Sequence, residues 1–172
     1  MNDESSRLAE LKRLMIMDTS EERAYDDITR LAAEITGAPI ALISLVDGTR
    51  QWFKSRIGLQ ATETPREMAF CSHAIQQPRE TMVVRDARAD PRFADNALVT
   101  GDPNIRFYAG APLVTSTGHV LGTVCVIDTE PRELTYDQLV KLEFLARQVV
   151  AMMESRADSG STAPAASPPG AG

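Results

Sequence analysis

The sequence predicts an α+β domain: a central antiparallel sheet of five or six strands, with N- and C-terminal helices on one face and a pocket on the other. Three observations carry this. In Ile105–Asp128, two β-prone runs, Phe107–Thr115 and Val120–Ile127, flank the polar break Ser116-Thr117-Gly118-His119, which is the pattern of a hairpin. Within the second run Val120, Gly122, Val124 and Val126 alternate with Leu121, Thr123, Cys125 and Ile127. Few of these are polar, so the hairpin belongs mid-sheet and is covered on both faces. A second pair of apolar runs, Ile40–Val46 and Gln51–Ile57, surrounds Asp47-Gly48, and amphipathic segments lie at both ends of the chain. Gly110 and Gly122 remove side chains from the sheet. A sheet layered on both sides, with gaps in one layer, is a natural place for a cavity.

Taken in order, residues 1–6 are read as a flexible N-terminus and 7–156 as the domain. Leu8, Leu11, Leu14, Met15 and Ile16 recur at helical spacing over 7–17. Thr19 and Glu22 form a capping-box pattern ahead of a helix expected to bury Tyr25, Ile28, Leu31, Ala32 and Ile35 and to stop at Gly37. After the first two strands, 58–66 reads as a loop. A short helix is expected from Arg66 or Glu67 to Gln76, closed by Pro78, then a short strand over Thr81–Val84. Residues 86–101 hold no sustained period, and so long an irregular stretch in a compact domain is usually a functional loop. The last helix, from Thr135 or Tyr136 to about Arg156, sets Leu139, Leu142, Leu145, Ala146, Val149, Met152 and Met153 on one stripe and leaves Val140, Phe144 and Val150 off it. Residues 157–172, where composition collapses to Ser, Ala, Gly and Pro, are read as a disordered tail.

At 172 residues and 43% hydrophobic, the chain fits one domain with an ordinary core. A net charge of -6 gives no footprint for nucleic acid. No apolar run approaches the ~18 residues of a membrane span, and the polar, acidic start is not a secretory signal. Cys71 and Cys125 lack metal-like spacing and read as reduced thiols, so a cytoplasmic location is expected.

Arg106-Phe107-Tyr108-Ala109-Gly110-Ala111-Pro112-Leu113, then Gly118, then Leu121-Gly122-Thr123-Val124-Cys125-Val126-Ile127-Asp128 resemble the signature hairpin of GAF domains. Pro39–Asp47, Gln51–Ser55 and Phe70–Ile75 resemble the same family, in consistent order over roughly residues 7 to 155. The resemblance implies a GAF-like (profilin-like) sheet in a stand-alone domain similar to those of bacterial sensor histidine kinases and diguanylate cyclases. Such domains sense small molecules and dimerise, so it also implies a regulatory role, an unidentified ligand, a homodimer and a signalling kinase or cyclase as partner. The family binds many molecules and sometimes none, so it does not name the ligand. Some members attach a bilin to a pocket cysteine followed directly by histidine; Ser72 stands there instead, and no covalent tetrapyrrole is expected. Free methionine sulfoxide reductases resemble this architecture and need a second thiol to resolve the oxidised one, but the 86–101 loop, where they carry active cysteines, has none. An enzyme is therefore not expected. The rival readings are a dimerisation scaffold with a plugged pocket and a thiol redox activity at Cys71.

The ligand-binding residues read from the sequence are Phe70, Cys71, His73, Asp86, Phe93, Arg106 and Tyr108. An aromatic floor with Arg106 at its edge would suit an anionic or planar ligand. The alternatives are that Arg106 pairs with a loop aspartate and that Phe93 fills the core. Cys71 is either a thiol activated near a helix start or a small buried hydrophobe. It would not face His73 two residues on. No Gly-x-Ser-x-Gly elbow, phosphate loop or dinucleotide fingerprint occurs, and no ligand cluster surrounds Asp47 or Asp128, so neither catalytic residues nor a metal are expected. Trp52 is expected under the first helices, Lys54 and Arg56 as exposed charges, and His119 facing solvent. The terminal helices carry more apolar surface than one face of a small sheet needs. Leu8, Leu11, Met15, Leu139, Leu142, Ala146, Val149 and Met153 are therefore read as a dimer interface.

Overall fold

A computed structural model describes residues 4–76 and 80–162. In chain order it contains helices α1 (Glu4–Leu14) and α2 (Arg23–Thr36), then strands β1 (Ile40–Val46), β2 (Arg50–Ile57) and β3 (Glu63–Pro65). A single 3-10 turn (Arg66–Met68) leads into α3 (Cys71–Ala74), β4 (Met82–Val84), a second 3-10 turn (Ala87–Ala89) and α4 (Ala97–Thr100). The long hairpin β5 (Phe107–Val114) and β6 (Val120–Asp128) follows, and α5 (Tyr136–Thr162) closes the fold. The six strands form one antiparallel sheet in the order β3-β2-β1-β6-β5-β4, which puts β6 and β1 at its centre.

Each face of the sheet carries its own core. On one, Ile43, Leu45, Trp52, Phe107 and Leu113 pack with Leu11 and Leu14 of α1, Tyr25 and Ala32 of α2, and Leu142, Val149 and Met153 of α5. On the other, Ile40, Leu42, Phe53, Tyr108, Cys125 and Ile127 pack under Phe70, Val84, Phe93, Val99 and Ile105. The terminal helices thus lie on one side of the sheet, and Phe70, Phe93, Val99 and Ile105 on the other.

The alternation expected for β6 breaks at Gly122. Leu121 joins Val124 and Val126 on the helix side, while Cys125 and Ile127 face the other way. The cause is a register shift in the hairpin: Pro112 pairs with Thr123, but Val114 pairs with Val120. A second bulge lies in β2, where Ile43 pairs with Ser55 and Ser44 with Phe53, leaving Lys54 as the extra residue. It turns Lys54 under α2, so this residue is buried rather than exposed. The ammonium donates to Thr19 Oγ1 at 2.8 Å, Ser20 O at 2.6 Å and Glu22 Oε2 at 2.6 Å, and lies 5.1 Å from the Tyr25 ring centroid.

Lys54 therefore takes the groups that the expected capping box would use. Helix α2 starts with Glu22 as N-cap and without a side-chain cap, while Gly37 ends it in the left-handed conformation as expected. The reciprocal capping box belongs to α5: Thr135 N donates to Gln138 Oε1, and Gln138 N to Thr135 Oγ1. Other expectations shift too. Helix α1 starts at Glu4 and ends at Leu14, because Met15 adopts φ 53, which turns it out to 75% exposure. Leu31 is 44% exposed. The 58–66 loop contains β3, and the 66–76 helix is split at Ala69 and Phe70. The expected stop at Pro78 lies outside the described residues. Helix α5 continues to Thr162, into the stretch read as tail.

Glu22 also accepts from Arg156 of α5 at 2.7 Å, so one carboxylate ties β2, α2 and α5. Glu22→Ala is expected to cost about 2 kcal/mol in urea unfolding; breaking a fully buried pair costs more, but this carboxylate is partly screened by water. Adding Lys54→Met should recover most of the loss, because no buried ammonium is then left unpaired. A double variant no more stable than Glu22→Ala would contradict this account.

Candidate functional site

Beneath residues 58–70 and 98–105 the sheet borders a cavity of about 430 Å³. Its floor is the pocket-side face of four strands: Ile40 and Leu42 from β1, Gln51 and Phe53 from β2, Tyr108 from β5, Cys125 and Ile127 from β6. These residues meet because alternation along each strand and the antiparallel register send them to one side: Ile40 pairs with Ile127 and Leu42 with Cys125. Gly58, Leu59, Gln60 and Ala61 form one wall, and Leu98, Asp102, Pro103 and Ile105 another.

The aromatic group is tightly built. Phe70 stacks on Phe93 with centroids 4.1 Å apart and planes 5° apart, and tilts against Tyr108 at 5.2 Å. Phe70 and Tyr108 line the cavity; Phe93 stands behind Phe70 as a core plug. The Tyr108 hydroxyl lies 3.2 Å from Thr123 Oγ1, its ring covers Gly110, and burial pushes its pKa well up. Gln51 is held on both sides: its amide nitrogen donates to Thr64 Oγ1, and its oxygen accepts from the Cys71 thiol.

The other expected site residues lie elsewhere. Cys71 is fully buried beside Val46, Ala69 and Val120, outside the cavity lining. It opens α3, but that helix has only four residues, and burial drives the thiol well above its ordinary pKa. Of the two readings of Cys71, the small buried thiol is the one its surroundings match, not the thiol activated at a helix start. Cys125 lines the cavity, yet burial raises it to about 11. His73 meets Phe93 edge-on at 4.9 Å, with its pKa lowered by burial and then by Arg92. Asp86 accepts from Arg88 and lines a separate surface hollow with Asp90 and Arg92. Arg106 turns its guanidinium onto the carbonyls of Val99 at 2.9 Å and Ile105 at 3.1 Å, outside the cavity lining and without a salt bridge among the described residues, though after Arg88 and the turn its charge still helps to lower the Asp86 carboxyl. Among the described residues no lysine or arginine lines the cavity, and the exposed Asp102 is the one acidic residue that does. The edge expected to be cationic is anionic.

Sequence reasoning thus placed Phe70 and Tyr108 and missed Gln51, Phe53, Leu42, Cys125 and Asp102. The strand members carried a usable signal, since Ile40 and Leu42 share a face with Ile127 once β1 is paired antiparallel to β6. The wall residues carried none.

The GAF domain model matches residues 20–152. The chain belongs to the GAF domain family. GAF domains are signalling and regulatory modules, and this is one of them. Over 154 residues the domain is 44% identical to a cyclic di-GMP phosphodiesterase of Pseudomonas aeruginosa, a match covering 89% of this chain and 26% of that protein. The chain thus spans about a quarter of that relative's length. Among solved structures, the GAF domain of a phosphoenolpyruvate-protein phosphotransferase from Coxiella burnetii aligns with a TM-score of 0.68 at 14% identity, over 93% of this chain and 99% of that one. The type II free methionine-R-sulfoxide reductase from Thermoplasma acidophilum aligns with a TM-score of 0.63 at 10% identity, over 77% and 92%. At these identities the structural likenesses establish the fold alone. No described helix is long and apolar enough to cross a membrane.

Proposed function

We propose that this GAF domain is a sensory module that holds a small molecule in the cavity between its sheet and the 58–105 segment and thereby modulates a partner protein. The supporting observation is the cavity itself: although Phe70 and Phe93 fill part of the second layer, about 430 Å³ is left over an apolar floor, a size suited to ligands. A scaffold with a plugged pocket would fill that space. A thiol enzyme is disfavoured because both cysteines are buried and their pKa values raised. The relationship to part of a cyclic di-GMP phosphodiesterase supports an output in cyclic dinucleotide signalling, delivered by a catalytic partner. Native mass spectrometry of the purified protein should reveal a protomer that carries, or takes up from a metabolite extract, one small molecule. A protomer that stays bare in both experiments would overturn the reading.

A second element of the proposal is dimerisation through the terminal helices. Of the interface residues expected, Leu11, Leu142, Ala146, Val149 and Met153 pack into the domain's own core, Leu8 and Leu139 are half-buried, and Met15 is exposed. What α5 offers outward is Tyr136, Val140 and Phe144, spaced four apart along one face. Phe144→Glu is expected to convert a dimer to a monomer in light scattering. A wild-type protein that stays monomeric at high concentration would remove this element.

A further inference from the structure

Resting on the proposed ligand pocket, we infer that its ligand is a flat heteroaromatic molecule that bears no negative charge and offers an N–H donor to Asp102. Three features point there. The floor is apolar and partly aromatic, with Phe53, Phe70 and Tyr108 presenting ring surface. Among the described residues the basic side chains nearest the cavity are engaged: Arg106 donates to the carbonyls of Val99 and Ile105, Arg56 through Nε to the carbonyl of the wall residue Leu59, and Lys54 lies on the far side of the sheet. An anion brought inside would lose its water and find no lysine or arginine among the described lining residues. Finally, Asp102 is an exposed residue at the cavity wall and forms no hydrogen bond or ion pair with the described residues, so a carboxylate at the mouth is open to a donor and repels negative charge.

The uncharged polar groups set the hydrogen-bonding pattern. Gln51 is tied to Thr64 and Cys71, and the Tyr108 hydroxyl to Thr123, so the inner floor offers mainly shape, with the second Gln51 amide hydrogen as its one remaining side-chain donor among these groups. The unpaired polar groups are at the wall, on Asp102 and Gln60. A ligand therefore enters ring first and leaves its polar edge at the mouth. The same chemistry excludes cyclic di-GMP, whose two phosphodiesters would face Asp102 with no counter-charge. The domain would sense a molecule chemically unlike the nucleotide that its relative hydrolyses.

The test uses one ring system in three charge states. Indole, tryptamine and indole-3-acetate are titrated into the whole protein, and occupancy is read from the methyl NMR signals of Ile40, Leu42 and Ile127. Tryptamine is expected to bind tightest and indole-3-acetate weakest, with roughly tenfold between the extremes for a carboxylate at a partly solvated mouth. Asp102→Asn should collapse that spread, tryptamine losing and indole-3-acetate gaining affinity, and cyclic di-GMP should leave the three methyl signals unmoved. If indole-3-acetate or cyclic di-GMP shifts those methyls at lower concentration than tryptamine, the charge assignment is wrong but the pocket stands. If none of the compounds moves them, the pocket reading fails and the inference falls with it.

Discussion

Arg7→Met should destabilise the domain by about 3 kcal/mol, the cost of leaving buried backbone acceptors unpaired. Arg7 is only 2% exposed although it sits on a surface-length helix. Its guanidinium donates to Val46 O at 2.7 Å and Val120 O at 3.3 Å, at the ends of β1 and β6, and to both Glu4 carboxylate oxygens at 3.1 Å. Methionine keeps the packing of the stem and removes every donor. The expected readouts are a lower urea midpoint and faster amide exchange in α1. A variant within 0.5 kcal/mol of wild type, roughly the range of ordinary surface changes, would show that water replaces the guanidinium at no cost.

The same ion pair gives a pH signature. Hydrogen bonds from Arg7, then from Arg66, hold the Glu4 carboxyl down to about 2 from an ordinary 4.5. A folded pKa below the unfolded one stabilises the native state at pH values above 4.5, and that stabilisation is lost as pH falls towards 2. Glu4 is about half exposed, so screening limits the effect to about 1 kcal/mol. Arg7→Met should therefore flatten the stability profile in that acid window. An unchanged slope there would separate Glu4 from the clamp.

Arg7 and Lys54 also show where sequence reasoning stops. Both hairpins were legible, because turn residues and alternation are local. The helices on one face were legible from their apolar spacing. Arginine and lysine, however, read as solvated by default. The acceptors that bury Arg7 lie 39 and 113 residues away, and Lys54 is buried by a bulge that no spacing announces. The site divides in the same way. Phe70 and Tyr108 lie in motifs, and both line the cavity. Gln51, Phe53 and Leu42 looked like ordinary strand residues until register gave them a face. Arg106 sits where a ligand cation would be expected, yet the carbonyls of Val99 and Ile105, made available by the turn at α4, capture it.

Gly122→Ala should be the most damaging glycine change, costing about 3 kcal/mol or more, at or above the upper end for overpacked cores. Gly122 lies opposite Leu45 in the central β1–β6 pair. A methyl group there would overlap the Ser44 carbonyl oxygen and stand 2.8 Å from its carbon and 2.9 Å from Leu45 Cα. All three obstacles are main chain, so no rotamer relieves them, and the two central strands must part. For Gly110→Ala the three nearest obstacles all belong to the Tyr108 side chain. Its ring can tilt at the expense of the Thr123 contact and the cavity floor, so about 1–2 kcal/mol is expected. Gly118→Ala finds nothing within 4 Å, and its cost of about 1 kcal/mol comes from φ 88 alone. Thermal or urea unfolding of the three variants should rank them in that order. Gly122→Ala no worse than Gly118→Ala would mean that the central strands are not packed as closely as the close approach of β1 to Gly122 requires.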